Sequence, residues 1–137
     1  MLFRGVPLVL LARSLGKGTA VVLLAITFAF AHVANPNVTL LGIGNIALAG
    51  IFLGLAFYAP GGIWTAWGAH LGWNAILAAL DTPVSGVPFR IPLLDYDPGH
   101  PAWLTGGKFG PEGGLSSTLA LTIAVLVARR WAGRDTT

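Results

Sequence analysis

Apolar positions in this chain come in blocks too continuous for the one-sided stripe of a soluble helix, which polar residues would interrupt at every turn. Four blocks stand out, at residues 18–34 (core VVLLAITFAFAHVA), 40–58, 62–80 and 115–131. Crossing a hydrocarbon layer takes about 20 helical residues, so the pattern predicts three complete spans and a fourth of marginal length. Residues 2–12 are apolar too but too short to cross, and read as the tail of a truncated N-terminal helix. They make a poor signal peptide, because Arg4 interrupts the run, Arg13 closes it and no small-residue cleavage pattern follows. The expected fold class is all-α: a polytopic membrane helix bundle of about four transmembrane helices plus that tail. It forms one membrane domain over residues 1–137, with an outer loop at 81–114 and a last helix at 115–131.

Composition agrees: 55% of the 137 residues are hydrophobic and 9% charged, with a mean hydropathy of +0.76. A soluble domain carries roughly 25% charged residues. The formal charge of +3 does not point to nucleic acid, because the eight Lys and Arg sit at helix ends and make no basic stripe. With no cysteine, the chain has neither a disulfide nor a thiolate nucleophile, and histidines and carboxylates must carry any chemistry.

Charge also sets an orientation. Arg13 and Lys17 precede the first span, while Arg129, Arg130 and Arg134 follow the last. Four spans put both groups on one face, the cytoplasmic one, since short cytoplasmic loops retain Lys and Arg. The connection 81–114 then lies outside, and it is net acidic, with Asp81, Asp95, Asp97 and Glu112 against Arg90 and Lys108. Trp131 fits an interfacial aromatic belt on the inner side and Trp103 one on the outer side. Arg-over-Lys and Ala/Gly-rich usage incline the reading to a bacterial plasma membrane.

The polar residues inside the apolar blocks are the candidate chemistry. FAFAH ends at His32, and HLGWN runs from His70 to Asn74. Polar groups at membrane depth are costly without a partner or a wet cavity, and are functional candidates by default. At 1.5 Å per residue His32 stands about 21 Å up the first span, and His70 and Asn74 about 12 and 18 Å up the third, so they can share a cavity. Gly50/Gly54 and Gly68/Gly72 are small-xxx-small pairs expected to pack helices, with Gly68 and Gly72 roughly opposite the His70/Asn74 face.

These motifs resemble the CPBP intramembrane proteases, which include the type II CAAX prenyl endopeptidases and the lysostaphin-resistance-type (Abi) proteins. Phe28 to His32 matches the family's FxxxH, and His70 to Asn74 its HxxxN. The opening MLFRG looks like the remainder of the first motif, a glutamate pair followed by three residues, arginine and glycine, with Met1, Leu2 and Phe3 as spacers and Arg4 as the arginine. The pair would fall in the two positions just before Met1, which points to an internal methionine taken as the start of a longer protein. The resemblance covers residues 1–80.

The resemblance implies an endopeptidase of the membrane. A glutamate with His32 would activate water for attack on a peptide carbonyl, and His70 and Asn74 would donate to the oxyanion. Arg4 would neutralise or orient the glutamates, and Phe28 would pack against the His32 imidazole. A divalent metal such as zinc is a further implication, with His32 and His70 as candidate ligands; without the glutamates two imidazoles remain. The expected partners are membrane lipid, a peptide or protein substrate at membrane depth, and the missing upstream helices or an oligomeric partner. As written the chain is expected to be inactive or nearly so.

Plainer alternatives stand beside each element. His32 could cap carbonyls at a helix end, and His70 with Asn74 could be a structural interhelical pair. The whole could be a non-catalytic binding, immunity or scaffold protein that keeps the fold, or a transporter subunit. Asn45 could line the cavity, though bonding a neighbour is preferred. Glu112, among glycines and Pro111, reads as a solvated turn residue, and His100 as a loop residue. The long loop could be a lid or substrate guide, or disordered.

Overall fold

A computed structural model describes residues 3–133; Met1, Leu2 and Arg134, used in the reading above, lie outside them. Six α-helices follow in order: α1 (Val6–Leu15), α2 (Lys17–Phe30), α3 (Leu40–Phe57), α4 (Ile63–Ala79), the short α5 (Ala102–Thr105) and α6 (Leu115–Ala132). There is no strand among the described residues.

Gly16 alone joins α1 to α2, and its φ of 83° is backbone that glycine adopts without strain. The two helices fold back on each other, burying Leu8 of α1 against Ala20, Val21 and Leu24 of α2. This antiparallel turn returns the end of α2 to the level of residues 3 and 4. The pair Gly50/Gly54 packs as expected: a Cβ on Gly50 would stand 2.8 Å from Ala25 Cα, and one on Gly54 2.8 Å from Val21 Cγ1. Gly68 and Gly72 do not; each faces open space, a correction to the predicted packing face. α4 leans on α3 by its other side, where Ala66 and Leu77 are buried, so the glycine face stays outward.

Two helices, α3 and α6, are long and apolar enough to cross a membrane by length and composition. α6, expected as a marginal span, has 18 residues and is just long and apolar enough, so two helices qualify where four spans were expected. α1 and α2 are shorter apolar helices, and α4 is diluted by its own polar pair. The first block ends as a helix at Phe30 instead of continuing to Ala34. Asn35 precedes Pro36, a position that disfavours helix, and residues 31–37 form turns instead. His32 therefore lies just beyond the helix end.

The outer loop is folded. Phe109, 1% exposed, inserts into a cluster with Phe28, Ala29 and Ile46. The Asn35 amide donates to Ser85 O (2.7 Å), and Gly86 N donates to Phe109 O (2.8 Å). Asn45, 1% exposed on α3, does most to hold the end of the loop. Its Nδ2 donates to Glu112 O (2.8 Å) and Gly114 O (2.9 Å), and its Oδ1 accepts from Thr118 Oγ1 (2.7 Å). One amide thereby joins α3, the loop and the first turn of α6. Trp103 and Trp131 are both exposed, as interfacial residues would be.

Candidate functional site

Phe28 is the centre of the polar cluster. Its ring meets the His32 ring at 4.6 Å and the His70 ring at 5.7 Å between centroids, both edge to face. Arg4 Cζ lies 4.3 Å from the same centroid, a cation–π distance, and Phe3 packs edge-on at 6.0 Å. Four of the five sequence candidates, Arg4, Phe28, His32 and His70, are thus gathered around one aromatic ring contributed by α2. The ring is 8% exposed, so it cannot move without disturbing its neighbours.

Local geometry fixes the His32 tautomer. Its Nδ1 stands 2.7 Å from Phe28 O, one helical turn back. A carbonyl only accepts, so Nδ1 carries the hydrogen and the neutral ring presents Nε2 as an acceptor. Capping the helix end and presenting a basic nitrogen are therefore one arrangement. The capping alternative is thus met, and the contact leaves Nε2 free of the backbone.

Arg4 is 6% exposed. Its Nη2 donates to Gly50 O at 2.9 Å, a contact open to it because Gly50 has no side chain. Among the described residues no carboxylate pairs with it. A guanidinium has five N–H donors, so most of its hydrogen-bonding capacity remains unspent. A cavity of about 40 Å³ lies beside it, lined by Phe3, Phe28, Ala66, His70 and others. That is room for a water, which needs about 10–15 Å³ and polar partners.

Asn74 is not brought into the cluster. It lines none of the cavities described here and makes no hydrogen bond among the described residues. His70 lines both the small cavity and a larger one of about 350 Å³ between α3, α4 and α6.

The larger cavity revises the reading of Glu112. Glu112 sits in a turn as expected, but it is half-buried and lines this cavity with Ser85, Trp73 and Asn45. Oε1 accepts from Trp73 Nε1 (3.0 Å), and Oε2 accepts from the Ser85 backbone N–H and from Ser85 Oγ (2.9 Å). The Asn45 bond to the Glu112 carbonyl fixes the backbone that aims this side chain inward. Asn45 both lines the cavity and bonds its neighbours. No local pattern in GGKFGPEGG signals the contact, since Trp73 lies 39 residues away in sequence. His100 is an exposed loop residue.

Among the described residues no group of three His, Cys, Asp or Glu could hold a metal ion. His32 and His70 are one short of the three protein ligands of a catalytic zinc.

No curated protein and no solved structure matches the chain. The profile of the type II CAAX prenyl endopeptidase Rce1-like family matches residues 1–76, which ends just past the HxxxN motif and takes in all four clustered side chains. That match spans more than half of the 137 residues. A membrane-type helix set, a buried arginine and two imidazoles on one phenylalanine are the setting in which it falls, and the chain belongs to the Rce1-like family of type II CAAX endopeptidases, whose general activity is that of a protease.

Proposed function

We propose that this protein is an intramembrane endopeptidase of the CAAX type, with Arg4, Phe28, His32 and His70 forming the part of the hydrolytic site that this chain contains. The observation that carries the reading is the shared ring of Phe28, which touches two imidazoles and a buried guanidinium, with a cavity large enough for water lined by Arg4, Phe28 and His70. The carboxylate such a site needs is not supplied by Glu112, the chain's one glutamate, which bonds Trp73 and Ser85 in the other cavity. A buried cation without a carboxylate is a costly arrangement, and a glutamate beside Arg4 would relieve it.

The chemistry follows. A glutamate such as the family's first motif supplies would take a proton from water as the oxygen attacks the peptide carbonyl, with His32 Nε2 as a second acceptor. The carbonyl becomes an oxyanion that accepts a hydrogen bond from His70. Collapse of the intermediate breaks the C–N bond, and the glutamate returns its proton to the leaving amine. A metal would need a third protein ligand, so no step is assigned to one.

On this reading α2, α3, α4 and α6 cross a bacterial plasma membrane with the C-terminus cytoplasmic. Leucines, valines and isoleucines exposed on α2, α4 and α6 support a lipid-facing outer surface. The test is cleavage of a quenched fluorogenic prenylated peptide by the native protein purified from its own membrane. His32→Ala and His70→Ala should each lower turnover by about 10²-fold or more. Unchanged turnover in both variants would remove the site assignment.

A further inference from the structure

The family match ends at residue 76, yet the larger cavity is closed from beyond it, by Ser85, Glu112 and, on α6, Ser117, Ala120, Leu121 and Ala124. Its middle is apolar, with Ile46, Ala49, Phe52 and Leu53 of α3 facing Leu121 and Ala124. Its volume of about 350 Å³ falls in the range of ligand pockets. From Asn45 to Phe52 it extends about 10 Å along α3, the reach of about three extended residues.

The cavity opens sideways. α4 packs along α3 and not along α6, and the lining residues Trp73 and Ile76 on α4 are 43% and 61% exposed. A ligand could therefore enter from the apolar phase without passing through the loop.

The formally charged side chain of the lining is Glu112, at the outer end. Its three hydrogen-bond donors, the Trp73 indole and the N–H and hydroxyl of Ser85, are all neutral. The loop's own cations do not offset it: Arg90 and Lys108 are exposed, and neither lines the cavity. The carboxylate is thus oriented and held by neutral groups, with its negative charge directed at the mouth of an apolar slot.

We propose that this cavity binds an apolar peptide segment of about three residues whose adjoining lysine or arginine pairs with Glu112 on the outer side of the membrane. The choice of a peptide rests on the endopeptidase reading, and the cationic flank rests on charge complementarity at Glu112. Glu112 then acts in specificity and takes no part in bond breaking, and the segment beyond residue 76 supplies the selectivity of a site whose chemistry lies within residues 1–76.

The test is binding of dye-labelled Leu-Ala-Leu peptides, flanked by lysine, acetyl-lysine or glutamate, to the full chain in phosphatidylcholine nanodiscs, read by fluorescence anisotropy. The lysine peptide should bind about tenfold more tightly than the acetyl-lysine one, and the glutamate peptide more weakly still. Glu112→Gln should remove the lysine preference, and Ala124→Trp, which fills the slot, should weaken all three. Equal binding of the three peptides by the unaltered protein, or a lysine preference kept in Glu112→Gln, would overturn the proposal. So would loss of the preference when phosphatidylethanolamine replaces phosphatidylcholine, since the carboxylate would then belong to a lipid amine. His32→Ala, which lies outside this cavity, should leave the charge preference intact whatever it does to cleavage, so failure of the endopeptidase reading is separable from failure of this one.

Discussion

Replacing Asn45 by alanine is the sharpest test of how the outer loop is held. The side chain is buried and makes three hydrogen bonds, to Glu112 O, Gly114 O and Thr118 Oγ1. Interhelical hydrogen bonds within membrane proteins average about 0.6 kcal/mol each, and bonds in soluble proteins about 1 kcal/mol. Three such bonds put the loss at about 2 to 3 kcal/mol. Thr118 can turn its hydroxyl to a carbonyl of its own helix, as Thr122 does to Thr118 O, so the lower half of that range is expected. Gly114 O keeps the N–H groups of Ser117 and Thr118 at 3.1 and 3.3 Å, whereas Glu112 O keeps no other donor among the described residues. Stability would be followed by SDS titration in mixed micelles, and loop opening by hydrogen exchange over residues 106–118. The expected result is a loss of about 2 kcal/mol with exchange quickened in the loop and the first turn of α6, while α1 and α2 keep their protection. A loss below about 0.5 kcal/mol with unchanged exchange would show that Phe109 and α6 hold the loop without the amide.

Further outcomes follow from the same contacts. Gly50→Leu should destabilise by about 1–3 kcal/mol through overpacking against Ala25 and displace Arg4 from the Gly50 carbonyl; the same titration would detect it. Gly68→Ala, where nothing lies within 4 Å, should be neutral or stabilising by up to about 1 kcal/mol. Phe28→Leu keeps most of the volume but loses the ring that both imidazoles touch. It should reduce peptidase turnover far more than it reduces stability, and equal effects on both would count against a positioning role for the ring. Trp73→Phe should detach Glu112 from α4, seen as faster exchange in α4 with α3 unchanged.

The sequence was most informative where physics acts locally. Long apolar runs must form helices where the backbone has no water to bond, and the observed α3, α4 and α6 agree with the predicted blocks to within a residue or two. The spacing of Phe28 and His32 places them on one helical face, and their rings do meet. The turn after Phe30 was missed because the apolar letters of AHVA continue the block, while Pro36, six residues on, limits how far helix can extend. For the glycine pairs the sequence signal was the same twice. Gly50/Gly54 found a partner helix and Gly68/Gly72 did not, because a small residue permits close approach without supplying the neighbour.

What the sequence determined by itself, then, was the helical membrane-type architecture and the pairing of Phe28 with His32, since these depend on apolar runs and on spacing along one helix. What only the tertiary structure decided was which of the other polar residues meet. Arg4 reaches Phe28 because a one-residue hinge at Gly16 reverses the chain, and Asn74 falls outside the cluster although it shares a helix with His70. Glu112 becomes a cavity residue through partners 27 and 39 positions away. Contacts at that separation depend on how the helices pack and where the loop is pinned, and a local pattern of residue types carries neither.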